Sequence, residues 1–171
     1  MSLFLHAALE YAAKGYAVFP LHNPLPDGSC SCRNFGCKSV GKHPRTRSGV
    51  LSATTNTETI KKWWTQWPTA NVAIATGRKS GIVVLDVDAD RGGEDSLRLL
   101  EEQNEKLQPT LTVITGRGRH LYFRYPENQT VRNSHDKLGP GLDIKSDNAY
   151  VVAPPSRHPS GKVYQQWQDA A

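Results

Sequence analysis

The sequence has no long apolar segment. Among its 171 residues, unbroken apolar runs cover only a few positions, as at Ile82–Leu85, whereas a transmembrane helix needs about twenty. The N-terminus also lacks the basic segment and long apolar stretch of a secretory signal. We therefore predict a cytoplasmic protein that does not enter a membrane.

Cysteine is scarce, and one stretch contains no acidic residue. All three cysteines lie between Cys30 and Cys37 and cannot all pair with one another, which argues against a disulfide framework. Residues 28–57 hold five basic residues and no Asp or Glu, within a chain of net charge +5. The five are Arg33, Lys38, Lys42, Arg45 and Arg47. Such a concentration of positive charge suits a polyanionic partner, and a solvated basic surface is the alternative.

Apolar periodicity predicts a single domain of the α+β class. Helices are predicted over 3–14, from a capping box at Thr55-Asn56-Thr57-Glu58 to about Trp67, and from Gly92-Gly93 onward with Leu107 on the inner side. The tryptophans of the second helix are expected to pack in the core. Strands are predicted over 16–21, 71–76, 81–88, 110–115, 120–125, 142–144, 150–153 and 163–167. We expect an N-terminal αβ half over about residues 1–80, with an irregular loop at 28–48, and a β-rich half over 81–171.

The tripeptide Asp86-Val87-Asp88 ends the uniformly apolar strand 81–88. Residues i and i+2 of a strand point to the same face, so both carboxylates are predicted to face one point. Oxygen pairs of this kind suit Mg²⁺, which is commonly held by one or two carboxylates and the phosphates of a substrate. The alternative is an acidic turn at the end of a strand.

Two further segments carry candidate ligand groups. Gly116-Arg117-Gly118-Arg119-His120 combines flexible glycines with phosphate-binding arginines and a histidine, which predicts a triphosphate site. A plain hairpin turn with surface arginines and a packed histidine is its alternative. Asp143 lies between Leu142 and Ile144, so it faces away from both and is a candidate third carboxylate, or part of a solvated strand face.

The three cysteines have the spacing Cys30-x-Cys32-x4-Cys37, followed by His43. Three thiolates and an imidazole form a ligand set for structural zinc. The alternative is coincidence, although free cysteines are normally buried and this Gly-rich loop has little apolar sequence to bury them. His22 is a weaker candidate for the fourth ligand.

Ordered motifs along nearly the whole chain resemble one protein family. They are Gly-Lys-His-Pro at 41–44, Trp-Trp at 63–64, and the segments 71–77, 80–88, 118–123, 142–145 and 151–156. In this order they resemble the N-terminal domain of bifunctional DNA primase/polymerases, the Prim-Pol branch of the archaeo-eukaryotic primase superfamily. The resemblance implies a two-part core whose acidic half is related to the RNA-recognition-motif (RRM) fold.

The resemblance also implies a role for each matching residue. Asp86 and Asp88 match the first metal-binding motif, His120 matches the nucleotide-contacting histidine, and Asp143 matches the last catalytic carboxylate. The segment 30–43 matches a zinc-binding insertion of some members.

Two positions depart from the family pattern. Asn148-Ala149 stands where paired glycines are common, and Lys145 stands where many members have arginine. Both departures concern the binding of the incoming nucleotide, for which Lys145 is retained as a candidate.

The expected activity is template-dependent transfer of nucleotides from nucleoside triphosphates to a 3′-hydroxyl on DNA. Two Mg²⁺ or Mn²⁺ ions are expected on the carboxylates, and the basic loop is expected to bind template or primer phosphates. A non-catalytic zinc module and a metal-dependent nuclease are the alternatives. Because a helical domain or helicase often follows this core, we expect an excised part of a longer chain, or a companion chain.

Overall fold

Two antiparallel sheets and three α-helices make up residues 2–167, the part of the chain described by the computed structural model. The helices are α1 (Leu3–Ala13), α2 (Thr57–Gln66) and α3 (Gly93–Gln103). The strands are β1 (Val18–Leu21), β2 (Asn71–Ala75), β3 (Ile82–Asp88), β4 (Thr112–Ile114), β5 (Gly118–Arg124), β6 (Ser134–His135), β7 (Leu142–Lys145), β8 (Tyr150–Ala153) and β9 (Gln165–Trp167). The predicted α+β class is confirmed. Within these residues, no helix has the length and apolar character needed to cross a membrane.

The small sheet has the strand order β1-β2-β8 and packs against α1 and α2. Each of these helices starts at a polar cap: the Ser2 hydroxyl accepts a hydrogen bond from the Leu5 amide, and the side-chain Oδ1 of Asn56 accepts one from the Thr59 amide. The capping box predicted Thr55 as the N-terminal cap of α2, but Asn56 occupies that position. Trp64 is fully buried in the core beneath α2, as predicted for a tryptophan that packs rather than binds.

The large sheet has the strand order β6-β7-β3-β5-β4-β9. β3, α3 and β4 form a split βαβ unit with β5 inserted between the two strands. One face of this sheet packs on α3 through Leu85, Val87 and Leu97. The third helix is shorter than predicted, because it ends at Gln103 and leaves Leu107 outside it and 40% exposed.

The chain crosses between the sheets three times, from β2 to β3, from β7 to β8 and from β8 to β9. After β7, β8 returns and pairs with β2, so the small sheet takes one strand from beyond residue 80. The division of the chain into an N-terminal αβ half that ends near residue 80 and a β-rich half therefore stays a prediction. This return brings the end of β7 and the start of β8 beside the loop at residues 28–48, which places the loop at the cleft between the sheets.

Candidate active site

Three predicted site residues lie in one row across the large sheet. The antiparallel register sets Asp86 on β3 directly opposite His120 on β5 and opposite Asp143 on β7. Residues paired in this way share a face and have Cβ atoms about 5 Å apart. The register therefore brings together groups that are 34 and 57 positions apart in the sequence.

Asp88 lies on the same face as Asp86, because the strand continues through Val87. Asp86 and Asp88 are both half-buried, whereas Val87 is buried in the core beneath α3. One Asp88 oxygen accepts a hydrogen bond of 3.1 Å from the Asp90 amide, so this carboxylate also caps the short turn that follows. The acidic-turn interpretation thus describes one oxygen of Asp88 and does not account for Asp86.

Asp143 is the most strongly held of the three carboxylates. Its Oδ1 accepts hydrogen bonds from His135 Nδ1 at 2.8 Å and from the Asp136 amide at 3.2 Å, and its Oδ2 accepts one from Lys145 Nζ at 3.1 Å. Burial acts to raise the pKa of Asp143, but the hydrogen bonds from His135 and Lys145 outweigh it and hold the pKa below its usual value. Asp143 is therefore a permanent negative charge in the row at neutral pH.

His120 is buried and neutral. Burial lowers the pKa of its imidazole, and the opposing attraction of Asp86 does not compensate. Its Nε2 lies 3.6 Å from an Asp86 oxygen, and its Nδ1 has no hydrogen-bond partner among the described residues. A buried polar atom without a partner is costly. This nitrogen is itself enclosed by protein, whereas His120 as a residue lines the cavity described below.

The two arginines of the β4–β5 hairpin have different surroundings. The Nε of Arg117 lies 3.9 Å from an Asp90 oxygen, and the charge of Arg117 lowers the pKa of Lys42 and of His158. Arg119 pairs with Val87 across the strands and so points to the α3 side, where it forms a two-point ion pair with Glu94 at 2.7 and 2.9 Å. The structure does not bring Arg119 to the face that carries His120.

The hairpin glycines make room for protein atoms. A Cβ on Gly116 would lie 2.1 Å from the ring of His158, and one on Gly118 would lie 1.9 Å from the Val87 carbonyl oxygen. Both distances are far below contact, so any side chain here would displace β5 or the buried His158. The neighbours of both glycines are protein atoms, so these contacts give no support to the predicted role of the glycines in letting the backbone approach a ligand.

A cavity of ≈ 490 Å³ opens over the row between the two sheets. Its size is in the range of small-molecule sites. The large sheet contributes Asp86, His120 and Lys145, and the small sheet contributes Tyr150, Val151 and Val152. The remaining lining residues are Ser39, Lys42, His43, Asn148, Ala149 and Tyr164.

Beside the cavity, Cys30, Cys32, Cys37 and His43 gather so that their ligand atoms all lie within 4.8 Å of one another. His43 Nε2 lies 3.4 Å from Cys30 Sγ and 3.5 Å from Cys37 Sγ. Burial and the charge of Arg45 lower the pKa of His43, which favours the neutral imidazole that a metal site requires. The Cys₃His set is therefore compatible with zinc.

His22 is not part of this set. Its Nδ1 lies 3.0 Å from the Ser31 hydroxyl, and its ring stacks on that of His43 with the centroids 4.4 Å apart. Among residues 2–167, the other group of three or more candidate metal ligands within 4.8 Å is His135, Asp136 and Asp143. Asp86 and Asp88 belong to neither group, so their oxygens and those of Asp143 are not drawn together as closely as the zinc ligands.

Sequence reasoning gave no role to two residues of the site. His135 follows an irregular segment, and only its pairing opposite Asp143 on a two-residue strand reveals its position. Lys42 stands in the Gly-Lys-His-Pro motif, which was the one signal that could have singled it out, but nothing local indicates that its side chain reaches the cavity.

The comparisons with known proteins give one result. No curated protein matches the sequence. The family model described as "Bifunctional DNA primase/polymerase, N-terminal" matches residues 8–170, which is nearly the whole chain. The matched range contains Asp86, His120 and Asp143. The chain therefore belongs to the bifunctional DNA primase/polymerase N-terminal (Prim-Pol) family.

Proposed function

We propose that this chain is the catalytic core of a DNA primase/polymerase, which transfers nucleotides from nucleoside triphosphates to the 3′-hydroxyl of a primer on a DNA template. The observation that carries the proposal is the cross-strand row in which Asp86 is flanked by His120 and Asp143. Asp86 and His120 of this row line the cavity. Family membership supports the reaction class.

The carboxylates fit a site for Mg²⁺ or Mn²⁺. Asp86, Asp88 and Asp143 offer only oxygen donors, come from two adjacent strands and face the same side of the sheet. Two bound ions would activate the attacking hydroxyl and stabilise the charge of the departing pyrophosphate. Asp143 keeps its charge because His135 and Lys145 hold it, and the buried strand fixes Asp86 and Asp88 rigidly enough for this task.

The Cys₃His cluster fits a structural zinc ion. Tetrahedral ligands at the usual zinc–sulfur and zinc–nitrogen distances are separated by roughly 3.6 Å, and the two sulfur-to-nitrogen distances are 3.4 and 3.5 Å. Four protein ligands complete such a site without an open position. We therefore assign this cluster a role in holding the loop at residues 28–48.

The nucleotide-binding residues are proposed from their position on the cavity. His120 and Lys145 line it, and the charge of Arg117 acts on Lys42, which also lines it. Gly116 and Gly118 are proposed to shape the hairpin that carries Arg117. Arg119 is left out because its guanidinium is engaged by Glu94 on the other side of the sheet.

The polyanionic partner is proposed to be primed or single-stranded DNA. The stretch without acidic residues, 28–57, borders the cavity through Ser39, Lys42 and His43, and phosphate contacts of this kind position a strand without reading its sequence. Four adjacent strands, β7-β3-β5-β4, support the RRM-like assignment of the large sheet. A helicase or helical domain stays an expectation.

The reaction class is tested with a labelled primer annealed to a longer template, nucleoside triphosphates, and Mg²⁺ or Mn²⁺. A primase/polymerase extends the primer, a nuclease shortens it, and a non-catalytic module only retards it in a gel. Extension supports the proposal. Shortening, or retardation without a change in length, would refute it.

Replacement of His120 with alanine is expected to weaken binding of the triphosphate. Loss of one hydrogen bond to a charged phosphate costs on the order of 1.5–3 kcal/mol, or roughly ten- to a hundredfold in catalytic efficiency. Affinity for Mg²⁺ should hardly change, because a neutral imidazole at 3.6 Å contributes little to a carboxylate site. Titration of a nucleoside triphosphate and of its nucleoside in the presence of Mg²⁺ measures the effect.

His6, an exposed histidine on α1, provides the matched control, and His6→Ala should bind like the wild type. Because phosphate contacts carry no base information, the loss in His120→Ala should be similar for all four bases. Equal weakening of triphosphate and nucleoside would show that His120 supports the strand or the sugar instead.

A further inference from the structure

Lys42 enters the cavity from the opposite side to the catalytic row. It belongs to the loop at residues 28–48, yet its side chain lines the same cavity as Asp86 and His120. The side chain is half-buried, and no carboxylate oxygen of residues 2–167 lies within 4.0 Å of its ammonium group. A partly desolvated charge with no carboxylate partner among these residues needs a reason, because such groups are normally paired.

The backbone around Lys42 is fixed by three anchors. The Gly41 carbonyl oxygen accepts a hydrogen bond of 2.9 Å from the buried amide of Asn71, and the Lys42 carbonyl oxygen accepts one of 3.0 Å from the Tyr150 hydroxyl. The next residue, His43, contributes its ring to the Cys₃His cluster. The small sheet and the cluster therefore determine where Lys42 stands, while its side chain contributes nothing to holding the loop.

Gly41 tightens this arrangement. Its φ of +72° is in the left-handed region, and a Cβ there would lie 2.8 Å from Pro24 and 3.3 Å from Asn71. Glycine is required at this point both by conformation and by the lack of space. The packing of the loop against β2 therefore fixes the turn that places Lys42 at the cavity.

The charges that surround the ammonium group are those of the catalytic face. Asp86 and Asp88 attract it and Arg117 repels it, and its own charge acts on His120. A cation that lines the same cavity as Asp86 and forms no ion pair among the described residues suits a ligand that bears several negative charges. Phosphate groups bound together with divalent cations have this chemistry.

We propose that Lys42 binds the triphosphate of the incoming nucleotide, and that the Cys₃His cluster promotes nucleotide binding by holding Lys42 at the cavity. This inference rests on the proposed function. It assigns the loop at residues 28–48 a direct contact with the incoming nucleotide, in addition to any contact of its other basic residues with DNA.

The test is a titration of the zinc-loaded full chain with ATP and dATP in the presence of Mg²⁺, with adenosine as the ligand that lacks phosphates. Lys42→Met keeps the length of the side chain and removes the charge. It should weaken the binding of whichever triphosphate the wild type binds by roughly ten- to a hundredfold and leave adenosine unchanged. Lys42→Arg, which keeps a phosphate-binding cation, should recover most of the affinity. Lys62→Met, which removes an exposed lysine from α2, should bind like the wild type.

Removal of zinc with a chelator supplies the second arm. If the cluster acts through Lys42, chelation should weaken triphosphate binding by the wild type by a similar factor and add little to the loss in Lys42→Met, because two changes in one interaction are not additive. Circular dichroism of each sample confirms that it is folded. Two additive losses would overturn the link between the cluster and Lys42.

The outcomes separate this inference from the proposed function. A wild type that binds triphosphate and extends primers, together with a Lys42→Met variant of equal nucleotide affinity, would overturn the inference alone. Unchanged nucleotide affinity with weaker binding of primed DNA would also overturn it and assign Lys42 to the DNA backbone. A wild type that neither binds a triphosphate nor extends a primer would overturn both.

Discussion

Replacement of both Asp86 and Asp88 with alanine should reduce nucleotide incorporation to the background of a primer-extension assay. The pair supplies two of the three carboxylates proposed to hold the divalent ions, and metal stabilisation of a phosphoryl transition state is worth several kcal/mol. Since each 1.36 kcal/mol is a factor of ten in rate, the loss should be at least about a thousandfold. Near-normal extension by the double variant would remove these residues from the catalytic site.

Stability should change little in the same variant, which separates a catalytic defect from an unfolded protein. Loss of Asp88 removes the hydrogen bond to the Asp90 amide, and the loss of such a cap costs about 1 kcal/mol. Removal of two negative charges beside Asp143 relieves repulsion in the metal-free protein and offsets that cost. Thermal unfolding measures the balance, and Asp95→Ala, at an exposed aspartate in the first turn of α3, is the matched control for activity.

The purified protein should contain about one zinc ion per chain, and the double change Cys32→Ser and Cys37→Ser should abolish zinc binding. Two remaining ligands, Cys30 and His43, cannot complete the tetrahedral site that retains zinc through purification. Elemental analysis of protein prepared without chelator measures the content. Absence of zinc from the wild type, or its retention in the double variant, would show that the ligand set is wrong.

Removal of zinc should loosen the loop and leave the large sheet folded. The loop at residues 28–48 contains no helix or strand, so the cluster adds to the hydrogen bonds from Asn71 and Tyr150 in holding it. The large sheet has a separate core with α3, formed by Leu85, Val87, Leu97, Leu121 and Leu142. Hydrogen exchange should therefore accelerate after chelation at 28–48 and stay slow in β3 and β5. Equal acceleration in both regions would contradict a local role for the metal.

Local patterns were sufficient to predict the parts of the site that lie close together in the sequence. The apolar run that ends in Asp86 and Asp88 predicted a buried strand, and β3 has its first four residues buried. The cysteine spacing predicted a cluster, and the four predicted ligands do gather. In both cases the relevant residues are at most 13 positions apart, so strand alternation or a short loop limits where they can lie.

Other features depended on pairing between distant segments. The pattern of leucines up to Leu107 did not indicate that α3 ends at Gln103. The alternation of side chains along β5 showed which residues face the cavity only once its register with β3 was known. That register places His120 on the cavity side and Arg119 beside Glu94, although the two residues are adjacent. A shift of one residue would exchange the two faces, which is why side-chain roles at a hairpin could not be assigned from composition.

The sequence by itself determined the α+β class from the periodicity of its segments, and the shared face of Asp86 and Asp88 and the gathering of Cys30, Cys32, Cys37 and His43 from spacing within one short segment. The tertiary structure alone decided that Asp143 and His120 flank Asp86, that His135 holds Asp143, and that Lys42 reaches the cavity. These contacts join segments that are far apart along the chain. They arise from the strand order of the large sheet and the return of β8 to the small one, which no local pattern specifies.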